Sequence, residues 1–485
     1  MPEDDPRWIA INEKLSENDH ARIVERQVNG LDRATIDALY HRLGKDPYDP
    51  VVLLKMVLYQ YLKGNQSPAT WEEQARRNEA MMWLGRGYTP ARRTWYDYRD
   101  RIGDAVEELH QQHVRGAIDQ EHLDPSTAAL DGTFVAACAS RHRMVNQETL
   151  LKRQGLLQRV IQGTTQPTEE LPKWIPPTPS GRLGLAGRLV IAAEALVQRI
   201  LDNAAKPSGK RKTTAKIQVS LTDPIAPLGR DKLKTYRPLY NVQCMIDPVS
   251  HLIVSYSCDA KTNDAGMLAP MIDKTQKIVG GRLETVLADG SYCSVLDLRD
   301  AQDRNIDLLA PVSASGTTRQ SKSLSGEVQI PREQFSFDAV SNSYTCPAGH
   351  RLNYKDREKK DRLGGRHLYQ SRYQCEGAHC GGCPLASRCL GGSGPRMIKR
   401  LEGEELLEAQ RAKMELDEVK QRYRLRGQTV ERGFGDAKGN RRVTRFHGRG
   451  LKRARTETGL LTLAQNVLRL DKLQRDAVNS HESTT

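Results

Sequence analysis

The sequence predicts a mixed α/β protein with a helical N-terminal region and a small cysteine-rich segment inserted late in the chain. Three observations predict this. From Thr127 to Val312, β-branched apolar runs alternate with amphipathic ones, in the order strand, hairpin, helix, strand, helix, strand that builds a mixed sheet. Before that stretch, apolar residues recur at helical spacing. After it, five of the nine cysteines fall between residues 346 and 389.

Residues 1–45 hold a helical pattern with no evident chemistry. Asp49-Pro50 then starts a strongly apolar helix, VVLLKMVLYQYL, with Asp as cap and Pro in the first turn. TWEEQARRNEAMMWL reads as one amphipathic helix and TPARRTWYDYRDRIGDAVEELHQQHV as the next. The second has a basic-aromatic entry: Arg92, Arg93, Trp95, Tyr96 and Arg99. That entry suits a DNA-binding or dimerising module, and the competing reading places the aromatic rings in a bundle core. Residues 141–215 read as a helical insertion that closes on the basic linker KPSGKRKTTAK. Strands resume with KIQVSLTD, LYNVQCMID and HLIVSYSCDA, the last two joined by the turn Asp247-Pro248. AGMLAPMIDKTQKI is a helix, LETVLAD a strand, SVLDLRDAQDR a helix and IDLLAPV a strand. The resulting division is a helical domain over 1–120, an α/β core over 121–312 and 400–472, the cysteine-rich insert over 313–399, and a disordered tail over 473–485.

The 485 residues carry a formal charge of +14, which favours a polyanionic partner. The excess is local. Lys420 to Arg455 contains 13 Lys and Arg against Glu431 and Asp436, a net of +11. The N-terminus, MPEDDPRW, is acidic and lacks the apolar centre of a signal peptide. The longest apolar run is short for a bilayer span and contains Lys55. The expected location is the cytoplasm, in association with the nucleoid.

The late cysteines read Cys346-Pro-Ala-Gly-His350, Cys375, Cys380-Gly-Gly-Cys383 and Cys389. A Cys-x2-Cys with further cysteines nearby points to structural zinc, because four soft thiolates staple a loop-rich module that lacks a core. Cys346, Cys380, Cys383 and Cys389 are the expected ligands, with Cys375, His350 and His379 in reserve. Cys138, Cys244, Cys258 and Cys293 lie in or beside strand-like runs and read as small core residues.

Three acids stand apart in the chain. Asp131 lies in TAALDGTFVAAC and Asp289 in LETVLADGSYCS, each closing an apolar run and followed by Gly. Glu431 lies on a basic helix, RYRLRGQTVERGFGDAK. Any one of them alone is more often an ordinary turn or surface residue. Together, two strand-borne carboxylates and a later helical one can converge on a pair of divalent cations, an arrangement suited to phosphoryl transfer on nucleic acid.

At these blocks the chain resembles the bacterial insertion-sequence DDE transposases, in the subgroup with a cysteine-bearing insert before the last acid. The resembling blocks are DGTFVAACAS, YNVQCMIDPVSHLIVSYSC with LADGSY, and Tyr423–Arg426–Glu431–Lys438. One spacing departs from the wider pattern: four residues separate Arg426 from Glu431, where the family often has three. The resemblance implies a ribonuclease H-like core, with Asp131, Asp289 and Glu431 as catalytic residues holding two Mg2+ (or Mn2+) ions. It implies cleavage of element ends and joining of the 3′-hydroxyl to target DNA, with a homodimer or higher assembly holding the ends. The alternatives are a nuclease of the same fold without strand transfer, or a catalytically idle DNA-binding regulator. On a regular helix Arg424, Glu431 and Lys438 share a face, whereas Arg426 lies about 140° from Glu431. Tyr423, Arg424, Arg426, Lys438, Arg441, Arg442 and Arg445 are the expected DNA contacts. The glycines of RFHGRGLK suggest a flexible turn that follows the DNA backbone.

Overall fold

The structure is a computed structural model. It describes residues 3–40, 48–164, 171–206, 209, 211–231, 234–313, 322–362 and 365–482, with side chains left out at 430–434 and 480–482. The chain divides into two compact units. One comprises residues 1–264, 270–284 and 425–485, and the other 265–269 and 285–424.

The first unit begins with eight helices: α1 (Pro6–Lys14), α2 (His20–Asn29), α3 (Ala34–Asp37), α4 (Pro50–Leu62), α5 (Pro68–Arg77), α6 (Glu79–Leu84), α7 (Arg92–Ile102) and α8 (Val106–Asp119). Helix α4 starts where the sequence places it, with the Asp49 carboxylate accepting from the Val51 N–H. It is buried on nearly every face, which explains its all-round apolar sequence. Two stretches that read as single helices are each broken. Asn78 ends α5 and caps α6, its side chain accepting from the Met81 N–H. Gly103 separates α7 from α8, where an added Cβ would stand 2.2 Å from the Thr456 hydroxyl. Trp95 and Arg99 of the basic-aromatic entry are buried. Arg99 lies 2.8 Å from Asp100, so these two residues serve the bundle core.

The strands of this unit form an antiparallel sheet centred on β5 (Tyr236–Ile246). Strand β1 (Thr127–Ala136) pairs along one side of β5, with Asp131 opposite Cys244 and Thr133 opposite Val242. The other side carries β6 (Ile253–Asp259) and the short β4 (Leu228–Arg230). Between β1 and β4, the pair β2 (Met144–Val145) and β3 (Val219–Ser220) brackets α9 (Gln147–Gln162) and α10 (Pro179–Ala204). These two helices enclose a core of their own around Leu157, Leu189 and Leu196. Helix α11 (Leu268–Val279) follows β6.

The last helix, α17 (Leu451–Glu482), closes the unit. Leu460, Leu463, Ala464 and Val467 enter the cluster formed by the N-terminal helices. Ala454 and Leu461 meet the cluster over the sheet. The tail read as disordered from residue 473 is helical to Glu482; 483–485 lie outside the described residues. The cause is docking: Asp471 binds Arg26 and Arg475, and Gln474 bonds to Gln27 and Gln120.

In the second unit, β7 (Thr285–Leu287) and β8 (Asp307–Leu309) run parallel across α12 (Val295–Gln302). A five-stranded antiparallel meander follows: β9 (Ser336–Asp338), β10 (Ser343–Thr345), β11 (Arg351–Asp361), β12 (His367–Cys375) and β13 (Met397–Leu401). Two single-turn helices, α13 (Gly377–Gly381) and α14 (Ala386–Cys389), sit between β12 and β13. Helix α15 (Glu404–Glu415) leads to α16 (Asp417–Gly435), along which the chain passes back into the first unit.

Two histidines of α8 are sealed in the first unit. Burial pushes His110 down to about 3 and His113 to about 4, from an ordinary 6.5. Neither ring nitrogen of His113 has a hydrogen-bond partner among the described residues. Both rings stay neutral in the folded protein. The unfolded chain therefore binds more protons between pH 6.5 and about 4, and stability falls as pH drops through that window. His113→Leu should flatten that slope by up to about 1.4 kcal/mol per pH unit. Urea titrations from pH 4.5 to 7 would measure it; an unchanged slope would mean that His113 is not held neutral.

Candidate active site

Strand β1 presents Asp131 and Thr133 on one face, two residues apart. Two cations from the basic segment approach that face. The Arg426 guanidinium donates to the Asp131 carboxylate at 3.1 Å, and the two side chains are only 17% and 23% exposed. The Lys438 ammonium donates to the Thr133 hydroxyl and reaches the Phe134 carbonyl at 3.4 Å. Asp131 thus sits in a positive setting built by residues about 300 positions later in the chain.

The route to this geometry differs from the regular helix that the sequence suggests. Helix α16 ends at Gly435, and residues Asp436–Asn440 form a π-helical turn. The wider turn breaks the seven-residue register, so Lys438 reaches β1 by way of the turn and not along a continued helix face. Arg426, read as a phosphate contact, is engaged with the first acid. Arg424 is exposed and Tyr423 half-buried. Glu431 lies on α16, and its side chain falls outside the described residues.

Asp289 belongs to the second unit and Asp131 to the first. Asp289 follows β7 and caps the next turn, its carboxylate accepting from the Ser291 N–H at 2.7 Å and from the Ser291 hydroxyl at 2.6 Å. Gly290 packs closely beside it: an added Cβ would meet the Ser313 hydroxyl and stand 3.0 Å from the Pro311 carbonyl oxygen.

Downstream of α16 the arginines part company. Arg441, read as a DNA contact, is 8% exposed. It binds Asp436 at 3.0 Å and the Leu62 carbonyl at the C-terminus of α4. That carbonyl belongs to the negative end of a helix dipole, a favourable place for a buried cation. Arg442 is exposed, with a backbone φ of +56°. The turn after it is pinned where the glycines suggested flexibility. Glu457 on α17 accepts from the His447 N–H at 2.8 Å and from the Gly448 N–H. Asp223 accepts from the Gly450 N–H at 3.0 Å and from the Tyr240 hydroxyl at 2.8 Å. Burial pushes Glu457 up to about 7, against the two backbone bonds and the nearby Arg99 and Arg453. Sequence reasoning missed both acids. Asp223 reads as a turn residue before Pro224, and the one available signal for Glu457 was a carboxylate on the apolar side of a packed helix.

Residues 345–471 match the transposase DDE domain family, and residues 9–101 match a second family described as a transposase domain (DUF772). These two matches support an insertion-sequence DDE transposase. The first match contains Glu431, Lys438 and the late cysteines, while Asp131 and Asp289 lie outside both matched stretches. No curated protein and no solved structure matches the chain. No helix among the described residues is long and apolar enough to cross a membrane.

The late cysteines gather at the turns of the meander. Cys346, Cys375, Cys380, Cys383 and Cys389 line one cavity of about 20 Å3, together with His350 and His379. The two imidazole rings stack with centroids 4.7 Å apart. Backbone N–H groups point at two of the sulfurs, His350 to Cys346 at 3.3 Å and Leu385 to Cys383 at 3.4 Å. Burial pushes the Cys375 thiol up, and so does crowding by Cys380 and Cys346. Among the described residues, no group of three or more His, Cys, Asp or Glu is arranged to hold a metal ion. The sulfurs share a cavity without being drawn into ligating geometry.

Arg441→Ala should destabilise the first unit by roughly 2 kcal/mol, since it removes the buried cation between Asp436 and the Leu62 carbonyl and leaves Asp436 with the Asn440 and Gln465 amides. Arg442→Ala should change stability by less than about 0.5 kcal/mol. Chemical denaturation of both variants checks the contrast. Equal stabilities would refute a structural role for Arg441.

Proposed function

We propose that this DNA transposase cleaves the ends of its element and joins the 3′-hydroxyl to target DNA, with Asp131, Asp289 and Glu431 as the catalytic acids. The carrying observation is the meeting at β1. The segment that matches a DDE domain delivers Lys438 onto the face of the strand that holds Asp131, an acid outside that match. Helix α16, which carries Glu431, also brings Arg426 to Asp131. The mixed α/β architecture is compatible with a ribonuclease H-like core.

Asp131 is a partly exposed carboxylate at a strand, the hard oxygen donor that Mg2+ takes. When bound, two divalent cations would activate the attacking oxygen and stabilise the leaving one. The chain's own residues set up the rest. Arg426 holds the Asp131 carboxylate in one orientation. Lys438 places a positive charge two residues along the strand, where it can meet a DNA phosphate. Exposed Arg424, Arg442 and Arg445 supply sequence-independent attraction to the backbone. Assembly as a dimer would hold two ends together.

Asp131→Ala should abolish cleavage and joining of end-bearing DNA in Mg2+ while leaving duplex binding within about threefold. Normal joining by this variant would eliminate the assignment. Strand transfer is itself the discriminating product: hydrolysis without joined product would favour the nuclease reading.

For the cysteines the proposal is one structural Zn2+. Cys346, Cys380, Cys383 and Cys389 are the ligands, and Cys375, His350 and His379 are the reserve. The thiol donors suit it, and the two N–H groups aimed at sulfur are of the kind that stabilises thiolate. Elemental analysis of protein purified without chelator should find about one zinc per chain. Cys383→Ser should lose it and speed proteolysis within 346–389. A metal-free native protein would remove the idea.

A further inference from the structure

An arginine cleft lies in the first unit, away from Asp131. It has a volume of about 430 Å3 and opens between the loop leaving β1, the start of β5 and the turn before α17. Arg141, Arg143, Arg237, Arg445 and Arg449 line it, and among the described residues no carboxylate does. Arg237 binds Asp231 at 2.8 Å. Arg143, Arg445 and Arg449 are exposed and form no ion pair among the described residues. Such crowding of like charge in a concavity is unfavourable by itself and concentrates positive potential there.

The backbone holding these arginines is fixed. Around Arg445, the Phe446 N–H donates to the Ala136 carbonyl at 2.9 Å and the Ala136 N–H to the Thr444 carbonyl at 3.2 Å. Arg449 lies between Gly448, held by Glu457, and Gly450, held by Asp223. Beyond Arg143, β2 is paired with β3. Guanidinium groups on a rigid frame match the planar, two-pronged recognition of phosphate.

The position is informative. Ala136, bridged to Arg445, is five residues along β1 from Asp131. That is about 16 Å at strand rise, equivalent to about five nucleotides of one strand of B-DNA.

We propose that the cleft binds the DNA phosphate backbone about five nucleotides from the position that Asp131 serves. It would act as a second anchor that fixes the direction in which the duplex leaves the site. The proposal rests on the transposase reading above. Four of the five arginines, Arg141, Arg143, Arg237 and Arg449, lie outside the contacts assigned there.

The test uses full-length protein and two labelled 30-base-pair duplexes of unrelated sequence, without divalent metal, with binding followed by anisotropy across a salt series. Arg143→Ala/Arg449→Ala should weaken binding to both duplexes by at least about tenfold. It should also flatten the log–log salt slope by roughly 0.9 per lost phosphate contact, about 2 in all. Lys152→Ala, on α9 and 75% exposed, should change neither. Melting curves check folding, and an Arg143→Gln/Arg449→Gln pair replaces the alanines if they melt early. Wild-type affinity and slope in the double variant, with duplex binding intact in the wild type, would overturn the cleft alone. Failure of the wild type to bind either duplex would overturn the transposase reading and the cleft with it. Loss of inorganic phosphate binding with duplex binding unchanged would make it a small-anion site and refute the assignment to DNA.

Discussion

The packing of α17 on two surfaces at once is the constraint on which the first unit depends. One side of the helix fills the core of the N-terminal bundle, and the other lies on the sheet. Gly459 makes the approach possible, since an added Cβ would stand 2.4 Å from the Tyr256 hydroxyl. The Asn466 amide completes it. It accepts from the Ile253 N–H at 2.8 Å and donates to the Ile253 carbonyl at 2.9 Å, satisfying the backbone at the start of β6. A buried side chain that pairs with both groups of one residue removes two desolvation costs together.

From this helix the ordering spreads to the face of β1 that holds Asp131. Glu457 fixes the turn, the turn bridges to β1 at Ala136, and β1 carries Asp131. The π-helical turn is anchored at its other end by Arg441 on α4 and by Gln465 of α17, whose amide donates to Asp436 at 3.2 Å. The helical domain at the start of the chain therefore supports the geometry around Asp131.

The basic segment shows why net charge is a coarse guide. Much of its +11 is spent internally. Arg426 meets Asp131, Arg441 meets Asp436, Lys452 meets Asp104, Arg453 meets Asp100 and Arg455 meets Asp259. The exposed remainder, including Arg424, Arg442, Arg445 and Arg449, is what can attract a polyanion. Partially exposed pairs of this kind contribute modestly to stability. Their larger effect is to decide which cations remain available.

What the sequence by itself determined was local. Periodicity marked α4, the β5–β6 hairpin and the alternation after it, because burial on one face or all faces leaves its period in the residues. Asp131 on a strand was legible, as was the concentration of cations near Glu431. The breaks at Asn78 and Gly103 were weaker signals, each set by a cap or a contact. Only the tertiary structure decided which charged groups are internal. Arg441 and the carbonyl it binds are 379 residues apart, and Arg426 and Asp131 are 295 apart. The same separation hid Glu457 and Asp223, whose partners lie on other elements. A charged group is structural or free according to what stands within a few ångströms of it, and no local pattern carries that information.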